Sequence, residues 1–356
     1  MEGGYRSPLL SLPGAVPATG CDDGVAEYYG DPLREQRLLV EGKGFVDFSH
    51  RGVVRVEGGD RLRWLNDLTT QRLLDLPPGV GTETLVLSPH GHVEHHLSLV
   101  DDGNATWIHV EPGTSASLVD FLQSMRFLLD VDPRDVTEQW AVVWQPIPEP
   151  YPDFVTRVDA RDDALAGREI FFPRDRLADV PSLLGPPIGL AAWNALRIEA
   201  GRPRLGVDTD HRTIPHEVGW IGSAVHLAKG CYRGQETVAR VSNLGRPPRR
   251  LVRLHLDGSV REQLPRPGAE IVAGDDVVGV LTSAAYHFEL GPIALGLVKY
   301  ATDDTGRFAV REQDGTVIAA NVEAVVRREE VPPPGQQARA ALRLGAARLT
   351  PPRPGG

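Results

Sequence analysis

After Pro247 and Pro248 the hydrophobic period of this 356-residue chain changes to two and stays there. Val252, Leu254 and Leu256 alternate with Arg253 and His255. Further short apolar runs follow at 277–283, 293–300, 308–312 and 317–326, separated by turn signals such as Pro267-Gly268 and Asp275-Asp276. A period of two sends successive side chains to opposite faces of a strand. Many short strands with frequent turns constrain this part of the chain to a small antiparallel β-barrel.

Upstream the pattern is mixed. Residues 53–57 alternate and end at Gly58, which reads as a strand and turn. Asp60 is placed to cap a helix carrying Leu62, Trp64, Leu65 and Leu68. Strands are expected at 84–87 and 93–100, joined by the turn-forming Ser88-Pro89-His90-Gly91. Leu118, Phe121, Leu122, Met125 and Leu128 have helical spacing and predict a helix over 117–129. A second clear helix spans 189–200 and closes on Gly201. The fold class is therefore α+β. A loosely structured leader occupies 1–40, and a first α+β unit 41–138. A second α+β unit takes 139–247, the barrel 248–327, and a Pro/Arg/Ala-rich tail without a packed core 328–356.

A net charge of -10 argues against a general nucleic-acid coater. The two cysteines, Cys21 and Cys231, exclude a disulfide framework and suit a reducing compartment. They are too few to hold a cluster by four thiolates. No apolar run approaches the roughly 20 residues of a membrane helix. The N-terminus lacks the order of a signal peptide. The expectation is a soluble, cytoplasmic protein with no membrane and no direct nucleic-acid partner.

The chemistry concentrates at Lys229-Gly230-Cys231-Tyr232-Arg233-Gly234-Gln235-Glu236. Two glycines let the backbone turn sharply, and Lys229 and Arg233 are expected to favour the reactive thiolate of Cys231. Read without context, a single cysteine is more often a small buried hydrophobe. The octapeptide resembles the K-G-C-[FYW]-x-G-Q-E signature of the YgfZ family of folate-binding proteins. That family belongs to the aminomethyltransferase-like superfamily and includes a mitochondrial iron–sulfur assembly factor. Upstream, Arg197-Ile198-Glu199-Ala200-Gly201, then Gly206-Val207-Asp208, then Pro215-His216-Glu217 follow the order seen across these proteins. Asn66-Asp67-Leu68-Thr69-Thr70-Gln71 resembles the segment that closes their first helix. The barrel runs at 279–283 and 293–298 fit as well.

The resemblance covers roughly residues 40–327 and implies three subdomains around a central cavity that houses tetrahydrofolate. It assigns Glu199 as the pterin anchor, since one carboxylate can accept both a ring N–H and an adjacent amine. Cys231 is then the working thiol facing the cavity, with Lys229 lowering its pKa. Gln235 and Glu236 orient the loop or the folate, and Arg240 is a further cofactor contact. Asn66 and Thr69 are cofactor contacts or satisfy their own helix end. Arg246, Arg249 and Arg250, with Arg233 and Arg240, form a basic cluster suited to a folate glutamate tail, an RNA phosphate or plain solvent.

His92, Glu94 and His96 share one strand face, a pattern compatible with a metal but more often a polar exposed face; no metal is assigned. In aminomethyltransferases this hairpin carries an Asp pair, which falls here on His95 and His96. That departure counts against aminomethyl transfer. The implied role is a tetrahydrofolate-binding protein supporting maturation or repair of iron–sulfur enzymes, with client enzymes or cluster carriers as partners and an indirect effect on tRNA modification. A folate-dependent aminomethyl- or one-carbon transferase is the alternative.

Overall fold

The computed structural model describes residues 4–244, 246–259 and 263–328. Six α-helices are described: α1 (Pro32–Val40), α2 (Arg61–Leu68), α3 (Ser115–Ser124), α4 (Val180–Leu184), α5 (Leu190–Glu199) and α6 (Gln235–Leu244).

Two five-stranded sheets and a barrel carry the architecture. The first sheet orders its strands Gly81–Leu87, Val93–Asp101, Ala105–Val110, Gly52–Glu57 and Asp132–Asp135, all antiparallel. The second runs Thr156–Asp159, Gly167–Pro173, Trp140–Gln145, Phe45–Asp47 and Pro187–Ile188, with the last pair parallel. Phe45–Asp47 thus leaves the first sequence unit to join the sheet of the second, so the boundary expected near residue 139 does not divide the sheets.

The barrel is closed and antiparallel, in the order Arg249–Leu256, Gly291–Lys299, Asp276–His287, Glu270–Ala273, Phe308–Arg311 and Val317–Ala324. Its interior holds Val252, Leu254, Ile271, Leu281, Ala294, Val298 and Val310, the inward half of the period-two pattern. A Cβ at Gly296 would crowd Ile271 Cδ1 at 2.4 Å and Val280 O at 3.0 Å.

Helix α5 joins the parts. Leu190, Trp193 and Leu196 enter the core containing Phe48, Val142 and Phe171, while Ala195 and Ile198 pack with Leu251 and Leu295 of the barrel. The Arg197 guanidinium donates to Asp208 Oδ2 at 2.8 Å, and Asp208 Oδ1 accepts from the hydroxyls of Thr282 and Ser283. The Arg and Asp of the two upstream motifs therefore bolt α5 to the barrel. Gly201 closes the helix at φ 65°, and a Cβ there would meet Val325 at 2.8 Å.

Three local expectations need correction. The leader is built, not loose, over residues 4–40. Tyr5 Oη donates to Ser49 Oγ at 2.7 Å, and Asp31 caps α1 by accepting from Leu33 and Arg34 N–H. Its partners lie far along the chain, so Gly and Pro content alone misreads it. Asp60 makes no side-chain cap on α2; its Oδ2 accepts from Asp130 N–H at 3.0 Å. Helix α3 stops at Ser124, before 129, because the chain must turn back to pair Asp132–Asp135 with Gly52–Glu57. Phe127 takes a φ of 45°, and Phe127 and Leu128 are 82% and 103% exposed. The tail expected at 328–356 lies outside the described residues apart from Arg328.

Arg204 is one of the groups that hold the leader. Its guanidinium donates to Asp22 at 2.6 and 2.8 Å and to Glu111 Oε2 at 2.7 Å, and all three side chains are nearly buried. Burial would raise the Glu111 carboxyl, but Arg204 and Arg51 hold it at about 2. Asp22 is likewise held below the carboxylate range by Arg204 and His50, against its burial. Removing one partner of a buried pair strands the others. Arg204→Met should lower the unfolding free energy by about 3–5 kcal/mol, read from the urea midpoint. Because the folded Glu111 pKa lies below its unfolded value, its contribution is complete above about 4.5 and fades as pH falls toward 2. Arg204→Met should flatten that acid limb; an unchanged acid profile would mean that Arg204 does not set it.

Candidate functional site

A cavity of about 330 Å³ opens where the two sheets, α5 and the segments at 200–204 and 218–223 meet, with Val325 reaching in from the barrel end. Strand alternation decides what faces it. On Val93–Asp101, His95 and Leu97 are buried while His96 and Ser98 line the cavity. His95 is pushed below the usual imidazole range by burial alone. Glu83, His109, Arg157 and Glu169 arrive from four other strands.

The charged groups pair around the wall. His96 Nε2 lies 3.1 Å from Glu83 Oε2, and Arg161 reaches Glu83 Oε1 at 3.2 Å. Burial would raise Glu83, yet His96 and Arg161 hold it below the carboxylate range. Arg157 donates to Glu169 Oε2 at 2.7 Å. His109 Nε2 lies 2.9 Å from the same oxygen but off line for a hydrogen bond, and burial pushes its imidazole below the usual range. Burial opposes ionisation of Glu169, and Arg157 and His109 keep it well below its ordinary pKa. Arg202 ties Asp159 and Asp163, with its Nη1 2.8 Å from Asp159 Oδ2.

Two indoles stand among these charges. Trp193 packs edge-on against Phe48, and the His96 ring lies 4.7 Å from Trp220, tilted by 31°. Trp193 Nε1, Arg51 Nε and His109 Nδ1 are buried donors or acceptors without a partner. The Glu169 contacts to Arg157 and His109 are both made through Oε2. Unpaired buried polar groups are costly. Here they border the cavity, where a flat, polar heteroaromatic ligand would satisfy them and stack on an indole.

None of the eight residues expected from sequence lines this cavity. Glu199 faces a different hollow, of about 390 Å³, and its Oε2 sits 3.2 Å from His287 Nε2. Glu199, at the end of α5, lies toward the barrel strand that carries His287; Glu169 is one of the carboxylates that line the central cavity. Lys229 is engaged by the backbone. Its Nζ donates to the carbonyls of Asn66, Thr69 and Gln71, the last at 3.1 Å, at the C-terminal end of α2. Asn66 Oδ1 accepts from Leu73 N–H, and Thr69 Oγ1 donates to Leu65 O at 2.7 Å, so both serve the helix end. Gln235 and Glu236 start α6, and Arg240 borders a separate hollow.

Cys231 is exposed to solvent rather than set in the cavity. Arg233 is drawn off by Glu94 at 3.3 Å. His92, Glu94 and His96 go to three different partners or hollows. Among the described residues no group of three or more His, Cys, Asp or Glu is arranged to hold a metal. The Cys231 loop is held by close backbone contact as well as by side chains. Gly234 has φ 81°, and a Cβ on it would meet Ser88 O at 2.6 Å and Gly91 Cα at 3.0 Å. Tyr232 is buried in the core with Leu85, Val93 and Leu295.

Sequence reasoning missed Arg51, Glu83, His109, Glu111, Arg157, Glu169 and Arg204. A signal existed. Glu169 is the one acidic residue in the aromatic strand Gly167–Pro173, and His109 and Glu111 interrupt an otherwise apolar run. A single charge at an inward strand position has to be paired or used.

Burial pushes the Lys229 ammonium down to about 8, while three carbonyl acceptors at a helix C-terminus favour the charged form. Lys229→Met should cost about 1.5–3 kcal/mol in the urea midpoint, since charged hydrogen bonds to α2 are lost. A midpoint equal to the parent's would show the clamp to be idle.

Residues 249–327 match the family model described as the glycine cleavage T-protein C-terminal barrel domain. A chloroplastic Arabidopsis thaliana protein named as a transferase is 26% identical over 339 residues, covering 86% of this chain and 77% of its own. An aminomethyltransferase of Streptomyces coelicolor is 26% identical over 308 residues, covering 76% of this chain and 82% of its own. The crystal structure of glycine cleavage system aminomethyltransferase T from Bartonella henselae aligns with a TM-score of 0.76 at 20% identity, covering 89% of this chain and 95% of that one. The mixed α+β architecture with a closed six-stranded barrel is the T-protein fold, and barrel, fold and relatives together support membership of the aminomethyltransferase-like superfamily.

Proposed function

We propose that the protein binds tetrahydrofolate in the central cavity and acts, in the manner of YgfZ proteins, in the maturation or repair of iron–sulfur enzymes. The observation that carries the folate part is the cavity wall: two indoles, three unpartnered buried nitrogens and the carboxylate of Glu169. A pterin is flat and offers adjacent N–H donors and ring acceptors, which fits that set. Glu169 replaces Glu199 as the carboxylate assigned to the pterin. Trp193 and Trp220 flank the ring, and Arg51 and His109 meet its acceptors. Bound folate supplies one-carbon chemistry; the chain's part is to bind, orient and exclude water.

The iron–sulfur part rests on the octapeptide and on the exposure of Cys231. An accessible sulfur on a loop pinned by Gly234 and Tyr232 is available to a partner protein from outside, without entry to the cavity. Effects on tRNA modification are then indirect, through a client enzyme.

The second reading is folate-dependent aminomethyl transfer, favoured by relatives named aminomethyltransferases. Against it stands His96, paired with Glu83, in the hairpin position where those enzymes carry a carboxylate. A glycine-cleavage assay separates the two: turnover would establish the transferase, and its absence beside intact folate binding would favour the YgfZ-type role.

Calorimetric titration with tetrahydrofolate tests the site. Glu169→Gln should weaken binding by about 1–3 kcal/mol. A loss on Glu199→Gln instead, with Glu169→Gln unaffected, would return the anchor to Glu199. Cys231→Ala should abolish rescue of an iron–sulfur client enzyme in cells while leaving the urea midpoint and folate affinity unchanged; full rescue would remove the thiol from the mechanism.

A further inference from the structure

The basic cluster expected around the start of the barrel does not survive folding as one unit. Arg249 is taken by Asp210 at 2.6 Å and Glu217 at 2.8 Å, and Arg250 by Asp304. Among the described residues, the guanidiniums of Arg212, Arg240 and Arg246 have no carboxylate partner. These three exposed residues line, with His90, His92 and Thr237, one open hollow of about 430 Å³ that no acidic residue lines. Ile214 and Val241 give it an apolar wall. It is separate from the central cavity, with which it shares no lining residue.

The arrangement selects a ligand class. Three unpaired guanidiniums in one concavity of a chain carrying a net charge of -10 form a local positive focus. They come from three segments, namely the loop at 212, helix α6 and the linker before the barrel, and two imidazoles and a hydroxyl join them. Donors from several directions suit the oxygens of a tetrahedral phosphate; a planar carboxylate uses one fork. The volume exceeds one phosphate and suits a compact ligand. There is no row of aromatic side chains for stacked bases, as a single-strand nucleic-acid groove requires.

We propose that this hollow binds a small molecule bearing two or more phosphoryl groups. The site also touches the thiol loop. A Cβ on Gly91 would lie 2.7 Å from Thr237 Cβ, so the turn carrying His90 and His92 is seated on α6. The same turn packs against Gly234, three residues after Cys231. Phosphate bound between the turn and α6 therefore braces the loop that presents Cys231. The inference does not depend on the tetrahydrofolate reading.

The test is calorimetric titration of the full chain with inorganic pyrophosphate. Saturable one-site binding is expected, weakened roughly tenfold by Arg212→Gln and again by Arg240→Gln, and lowered by added salt. The exposed Arg72, paired with Asp75 elsewhere, is the control: Arg72→Gln should bind as the parent does. Circular dichroism and urea midpoints check that the variants fold. Tetrahydrofolate affinity of Arg212→Gln should equal the parent's, which separates failure here from failure of the folate site. Absence of saturation at millimolar pyrophosphate would overturn the proposal. So would equal loss in the Arg72 control, binding of a glutamate tripeptide as tight as pyrophosphate, or capture of a single-stranded RNA without pyrophosphate binding.

Discussion

One guanidinium holds the centre of this protein. Arg204 lies just past α5 and grips Asp22 of the N-terminal segment and Glu111 at the end of a first-sheet strand. Each charge has left water, and none can be removed without stranding the others. The ions need not add net stability over an apolar core. What they impose is registry: the N-terminal segment, the first sheet and the loop after α5 must meet in one arrangement to satisfy all the charges. The cavity exists because that arrangement leaves space between the paired groups. Glu83 with His96 and Arg161, and Glu169 with Arg157, repeat the device around the wall.

The octapeptide divides into a frame and a payload. Lys229 ties down the end of α2, Tyr232 fills a core, and Gly234 lets the chain pass against Gly91. These three make one rigid loop and leave Cys231 outside it, in solvent. Lys229 thus contributes by placing the sulfur. The same frame fixes the turn bearing His90 and His92, so thiol and basic hollow share a foundation. The unpaired arginines beside it contrast with the central cavity, where every arginine has found a carboxylate or an aromatic face.

Elements whose stability is local were legible. The barrel followed from its period of two, α5 from its apolar stripe and closing Gly201, and the hairpin from Ser88-Pro89-His90-Gly91. The N-terminal segment was not, because Ser7 answers Asp47 and Asp22 answers Arg204 across long stretches of chain. Nor was the early end of α3, where pairing of Asp132–Asp135 outweighs helical spacing. The lining of the central cavity was not legible for a related reason. Motif residues such as Lys229, Arg197 and Asp208 are buried in structural bonds, while the cavity is walled by single charges scattered over five strands.

The sequence by itself determined the α+β class and the barrel, and it singled out the octapeptide around Cys231. Periodicity, turn chemistry and glycine placement act over a few residues, so they can be read from neighbours. Only the tertiary structure decided which carboxylates face the hollow, which arginines are spent on partners and which stay free. Those outcomes depend on desolvated charges meeting across distant segments, and the energy of such a meeting belongs to the pair and its surroundings, not to either residue's place in the chain.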